Sequence, residues 1–437
     1  MSRGREQVEE HIEPPRSIGL AGTALFPLNG MIGAGIFVLP ALLFAAVGNF
    51  APWLILLGGI AFFPLIFVFS ALSRRFDHSG GPVLYGEAAF GPFIGFQAGW
   101  MRYASGFTAI AANAHVMVSY AAAFWPVLRD PVAGPLAVTA SLAFLTLINL
   151  FGTSKATGTL GGMTVVKLLP LVALVIAGLL AGSPAIGFSL PQFSDIQTVV
   201  LLTFYAFMGF ETANVPAGEM KNPRRNLPRA LIGMLAGVTL VYMLVTWAYI
   251  AIDPANPDKA MPLAAAAREM MGRMGTIVII LAATFSIGGN LLNNIITTPR
   301  LTYGMAEDGM LPPWFMHVSR RFRTPDFSIL FFGGCGILSA LTGGFVILAT
   351  VGTLSRLVTY LICAAALPVI QRKEQRAGKG PAEPFEAAMA ALAFVFCLWV
   401  SSSADNRAFL TLLVLLAVGT LLFLLGRRGA RLEPSST

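Results

Sequence analysis

Only a few side chains in this sequence are placed to do chemistry, and those few sit among apolar residues. Glu211 lies in Phe204-Tyr205-Ala206-Phe207-Met208-Gly209-Phe210-Glu211-Thr212, a carboxylate two residues after a glycine inside an apolar stretch. Such a carboxylate is costly in a membrane unless it is paired, hydrated or protonated, which points to a pathway or a proton relay. The structural alternative is a protonated carboxyl bonded to nearby backbone. Lys167, in Val165-Val166-Lys167-Leu168-Leu169-Pro170, is a second ionisable group within an apolar run, and the plain explanation is a stem that snorkels to the membrane surface. A third feature is a backbone one. In Asn29-Gly30-Met31-Ile32-Gly33-Ala34-Gly35-Ile36-Phe37-Val38-Leu39-Pro40, glycines interrupt an apolar run near its middle. Two interrupted helices in corresponding places expose half-helix N-termini and freed carbonyls, which bind a carboxylate and an ammonium respectively. An amino acid carries both groups. For the first stretch alone, close helix packing through small residues explains the glycines equally well.

The elements that hold these groups follow from composition. The chain has 437 residues, of which 56% are hydrophobic and 11% charged, and its mean hydropathy is +0.74. A soluble domain carries roughly 25% charged residues, so this chain lacks the means to cover a soluble surface. Its apolar residues come in runs, and about 20 such residues cross the hydrocarbon layer as a helix with all backbone groups bonded internally. Twelve spans are predicted, near residues 18–46, 51–73, 95–126, 132–151, 160–182, 198–218, 229–252, 275–299, 328–350, 353–371, 385–402 and 408–426. The net charge of +8 does not point to nucleic acid, because the basic residues fall in short blocks between apolar runs. Arg74, Arg75, Lys155, Lys221, Arg224, Arg225, Arg229, Arg320, Arg321, Arg323, Arg372, Lys373, Arg376, Lys379, Arg427, Arg428 and Arg431 occupy one set of breaks; the other set holds few. By the positive-inside rule both termini are expected in the cytoplasm, with the chain multi-pass in the cell (inner) membrane. The basic blocks then also meet anionic lipid. The polar, partly acidic start, Met1 to Arg16, resembles no signal or transit peptide.

Enzyme chemistry has little support. The sequence contains no Walker loop, zinc-type His-Glu spacing, serine nucleophile elbow or dinucleotide fingerprint, so no cofactor or metal is expected. Cys335, Cys363 and Cys397 lie within apolar segments without metal-ligand spacing. Arg102, His115 and Arg356 either face a water-filled path or bond to neighbours, and Asn290, Asn293 and Asn294 either line that path or bond between helices.

Four pieces in order carry a family resemblance: Gly33-Ala34-Gly35; Ser79-Gly80-Gly81-Pro82-Val83-Leu84-Tyr85-Gly86-Glu87-Ala88-Ala89-Phe90-Gly91 with Gly99-Trp100; Glu219-Met220-Lys221-Asn222-Pro223-Arg224-Arg225-Asn226-Leu227-Pro228-Arg229; and Arg300-Leu301-Thr302-Tyr303-Gly304-Met305-Ala306-Glu307-Asp308-Gly309-Met310-Leu311-Pro312. Over residues 15–372 the chain resembles the amino acid-polyamine-organocation superfamily. That resemblance implies an all-α membrane fold with a five-plus-five inverted repeat. Residues 18–182 would form the first repeat, 198–371 the second, and 385–426 two peripheral helices, with helices one and six discontinuous. It implies a substrate carboxylate among Ile32, Gly33, Ala34 and Gly35. Its ammonium would meet the carbonyls of Phe204, Ala206 and Phe207, and its side chain Tyr205 and Met208. In sodium-independent members a lysine of the fifth helix replaces a sodium ion, and Lys167 matches that position with Ser286 as its partner. Glu211 would couple protons or act in gating. Ala34 departs from the serine often found there, which removes one hydroxyl donor. The expectation is a sodium-independent carrier of neutral amino acids, by proton symport or exchange. A polyamine or cationic amino acid exchanger, a channel and an amino acid sensor are the other readings.

Overall fold

The computed structural model describes residues 19, 28, 30–76, 80–151, 160–181, 189–214, 222–252, 261–381 and 383–432. Every regular element among them is helical. The α-helices are α1 (Gly35–Val47), α2 (Ala51–Ser73), α3 (Pro82–Phe90), α4 (Pro92–Ala121), α5 (Ala133–Leu150), α6 (Leu160–Ala181) and α7 (Phe193–Ala206). They continue with α8 (Pro223–Ile252), α9 (Pro262–Thr297), α10 (Pro299–Glu307), α11 (Asp326–Ala340), α12 (Phe345–Arg376), α13 (Pro384–Ser402) and α14 (Asn406–Leu432). Among the described residues, eight helical segments are long and apolar enough to cross a membrane, the first of them Gly35–Ser73, bent at Gly48–Phe50.

Local sequence explains several boundaries. Prolines 82 and 92 open α3 and α4 at their first turn, where the missing N–H costs no hydrogen bond. Gly91 between them has φ +90°, which a glycine adopts without strain, so the chain reverses there in a single residue. Asp130 caps the start of α5: the N–H groups of Ala133 and Val132 donate to its carboxylate, which holds that carboxyl below its ordinary pKa.

Several predicted bounds are corrected. The sequence placed spans nine and ten at 328–350 and 353–371, whereas the chain turns at residues 341–344, between α11 and α12. Hydropathy runs on through Leu341 to Ala349, and the break is set by the pair Gly343-Gly344. Span seven starts earlier, at Pro223, and the helix of span eight, α9, starts earlier too, at Pro262, ends at Thr297 and bends at Gly272. Of span one, residues 18, 20–27 and 29 lie outside the described residues, as do 182 of span five and 215–218 of span six.

At the centre is α4, packed on α3, α5, α9, α11, α12 and α14. A helix surrounded by protein is free to carry Gln97, Arg102, Asn113 and His115 because lipid does not reach them. Its Trp100 Nε1 donates to the Leu415 carbonyl at 2.7 Å and Gln97 Nε2 to Thr420 Oγ1 at 2.9 Å, fixing α14. At one end, Glu386 in the first turn of α13 is buried between Arg74 Nη2 at 3.0 Å and Arg75 Nη2 at 2.7 Å, and Gln371 Nε2 donates to it at 2.6 Å. That cluster ties α2, α12 and α13 together.

Candidate functional site

The two interrupted stretches meet. Residues 32–34 are bent, and α1 starts only at Gly35; α7 stops at Ala206, residues 207–209 form a turn, and a 3-10 helix follows at Phe210–Asn214. Gly209 has φ +102°, a conformation open to glycine and strained for other residues. The reason for two glycines here is contact as well as conformation. A Cβ on Gly30 would stand 2.4 Å from the Gly209 carbonyl oxygen, and one on Gly209 would stand 2.5 Å from the Gly30 carbonyl oxygen. Backbone therefore touches backbone where the segments cross.

Beside this crossing is a cavity of about 40 Å³, roughly room for three waters. Its walls include Gly33, Gly35, Asn113, Tyr205, Ala206 and Met208. Of the four N–H groups in the first turn of α1, that of Ala34 donates to Asn113 Oδ1 at 3.3 Å and that of Phe37 to the Ala34 carbonyl at 3.0 Å. Those of Gly35 and Ile36 have no intrahelical acceptor and sit at the positive end of the helix. At the opposite break, the Phe204 carbonyl accepts from the Phe207 N–H at 3.1 Å, and that of Tyr205 from the Met208 N–H at 3.2 Å. The cavity thus lies between the N-terminal start of α1 and the C-terminal end of α7.

Asn113 holds the walls in register. Besides accepting from Ala34, its Nδ2 donates to Asn290 Oδ1 at 2.8 Å and its Oδ1 accepts from the Tyr205 hydroxyl at 3.4 Å. Asn290 Nδ2 in turn donates to the Gly30 carbonyl at 3.2 Å, and Asn294 Nδ2 donates to Asn290 Oδ1 at 3.0 Å. Two tyrosines secure the outer faces of the first segment: the Tyr242 hydroxyl donates to the Met31 carbonyl at 3.0 Å and Tyr120 to that of Phe37 at 2.9 Å. The carbonyls released by the broken helix are thereby satisfied, as buried backbone groups must be.

Glu211 lines the same cavity and is 2% exposed. Its Oε1 lies 2.7 Å from Arg356 Nη1 and 3.8 Å from Arg102 Nε, and its Oε2 accepts from the Tyr360 hydroxyl at 3.0 Å. Arg356 Nε further donates to Ser105 Oγ at 2.9 Å. Arg356 thus compensates the buried carboxylate directly, with Arg102 farther off, an arrangement in which removing the close partner is costly.

Of the residues singled out from sequence, Gly33, Gly35, Tyr205, Ala206, Met208 and Glu211 border the cavity. Ile32 and Ala34 are buried beside it, and the rings of Phe204 and Phe207 turn away to pack on Phe62. Ser286 is buried away from the walls, which α9 lines through Asn290 and Asn294 instead. Lys167 falls within α6, but its side chain lies outside the described residues. His115 is bonded, with Nε2 3.0 Å from the Ala340 carbonyl oxygen. Sequence reasoning passed over Asn113 and Tyr360, and left the arginines undecided; the available signal was an amide in the middle of a membrane span.

Discontinuous helices crossing at a cavity inside a bundle of apolar helices are an arrangement found in membrane transporters. Residues 18–423 match the amino acid permease family, and the chain belongs to it. It is 28% identical over 409 residues to the serine/threonine exchanger SteT of Bacillus subtilis, covering 90% of this chain and 92% of that one. It is 31% identical over 412 residues to the uncharacterized transporter Rv1999c of Mycobacterium tuberculosis, covering 90% of this chain and 89% of that one. The protein is therefore a multi-pass membrane amino acid permease and not an enzyme.

Proposed function

We propose that this permease carries a small neutral amino acid across the cell membrane by alternating access, without sodium, and by exchange in preference to proton symport. The observation that carries the reading is the crossing of the two breaks beside a cavity, with the start of α1 at Gly35 on one wall and the end of α7 at Ala206 on the other. A carboxylate and an ammonium fit those walls. Tyr205 and Met208 at the cavity suit an uncharged side chain, and the small volume suits a short one.

The packing supports a twelve-span, five-plus-five repeat over 18–182 and 198–371. With α1, α2, α4, α5 and α6 as spans one to five and α7, α8, α9, α11 and α12 as six to ten, the neighbours map onto each other under a shift of five. The pair α4–α12 corresponds to α9–α6, α6–α8 to α12–α2, and α4–α11 to α9–α5, and all six pairs are in contact. In this reading α13 and α14 stand outside the repeat, and the basic loops support a cytoplasmic position for both termini.

Exchange is favoured over proton symport because Glu211 is held by Arg356, Arg102 and Tyr360. A similar chain, SteT, also bears the name of an exchanger. For sodium independence the reading is that the Lys167 ammonium stands in for a cation and meets Ser286, whose buried hydroxyl has no hydrogen-bond partner among the described residues. The test is uptake of labelled serine into proteoliposomes. Preloading with unlabelled serine is expected to raise the initial rate severalfold, with no response to sodium replacing choline. Uptake driven by a proton gradient alone into empty liposomes, or stimulated by sodium, would refute the corresponding half.

A further inference from the structure

The central cavity borders a second one of about 290 Å³, lined among others by Gly81, Leu84, Arg300, Glu307 and Asp308. Arg102 and Glu211 belong to both walls, so they form the partition between the two spaces. The charges there are unequal. Among the described lining residues the central cavity holds two cations, Arg102 and Arg356, and one anion, Glu211. Arg356 takes up that anion, at 2.7 Å, and is fixed by Ser105 as well. Arg102 is left as the surplus: its nearest carboxylate oxygen is 3.8 Å away, beyond hydrogen-bond distance, and its side chain is only 12% exposed. The larger space has the opposite balance, since Arg300 faces Glu307 and Asp308 there beside the shared pair.

We infer that Arg102 is a specificity-determining residue that excludes substrates with a cationic side chain. Such a substrate crossing between the two spaces must pass a guanidinium that no carboxylate fully neutralises, in surroundings where water screens little. Like charges brought together in that way discriminate by repulsion, which leaves neutral substrates untouched. The inference rests on the transport reading above and selects against the cationic amino acids and polyamines that the sequence alone left open.

The experiment compares two competitors of nearly equal shape, homoserine and 2,4-diaminobutyrate, against labelled serine uptake in proteoliposomes at pH 7. In the wild-type protein diaminobutyrate is expected to inhibit at least tenfold more weakly than homoserine. The gap should narrow threefold or more in Arg102→Gln and persist in Arg102→Lys, which keeps the charge. Serine uptake itself reports the transport reading. If serine is carried and diaminobutyrate competes as well as homoserine in the wild type, the exclusion is overturned while transport stands, and this holds whether or not the Arg102→Gln variant folds. A gap unchanged in an active Arg102→Gln variant also overturns the role of Arg102, and absence of serine uptake overturns both readings.

Discussion

Gly209→Ala is the sharpest perturbation of the crossing. Alanine at φ +102° is strained by about 1–3 kcal/mol. Its Cβ would also fall 2.5 Å from the Gly30 carbonyl oxygen and 2.7 Å from its carbon. Both are backbone atoms of the partner segment, so relief requires the segments to part, and overpacking of this kind costs about 1–3 kcal/mol more. Together the two effects disfavour the closed crossing by about 2–6 kcal/mol, at the low end a factor of about 30 in its population. The assay pairs thermal unfolding in detergent with initial uptake rates in proteoliposomes, and the control is Gly233→Ala in α8, where an added Cβ meets nothing within 4 Å. The expected outcome is a lowered Tm and at least tenfold slower uptake for Gly209→Ala, with Gly233→Ala close to wild type. Wild-type Tm and rate in Gly209→Ala would mean that the two breaks do not touch.

Three further outcomes follow from the bonds around the cavity. Arg356→Gln leaves Glu211 buried with its nearer cation gone and is expected to destabilise by about 3–5 kcal/mol; the double variant Glu211→Gln with Arg356→Gln should recover part of that, read as coupling in a double-mutant cycle on Tm. Asn113→Ala removes the acceptor of Ala34 and the link to Asn290, so the KM for serine should rise about tenfold, as loss of about 1–3 kcal/mol implies, while expression holds. Glu386→Ala strips the buried anion from between Arg74 and Arg75, and a fall in Tm with retained KM is expected because the cluster joins α2 to α13 far from the cavity; a changed KM with unchanged Tm would contradict that placement.

Much of the fold was legible in advance. An apolar run of about 20 residues has one low-energy state in lipid, a helix, and that state depends on the run itself. The glycines at 33, 35 and 209 marked the two interruptions for the same reason, since backbone freedom is a property of the residue. Where local rules failed, the failure was local too: the Gly343-Gly344 turn hides in continuous hydropathy.

The site divides along the same line. Glu211 stood out as a charge needing compensation, but its partners come from α4 and α12, distant in the chain and recognisable only once those helices pack face to face. Asn113 as the hub of the cavity, and Gly30 as the glycine that touches Gly209, are likewise facts about which faces meet. Sequence by itself determined the solvent, the helices and the weak points in their backbones, because those energies sum over neighbouring residues. Tertiary structure alone decided which charges neutralise one another and which is left over, because Coulomb and contact energies depend on distance in space and not on separation along the chain.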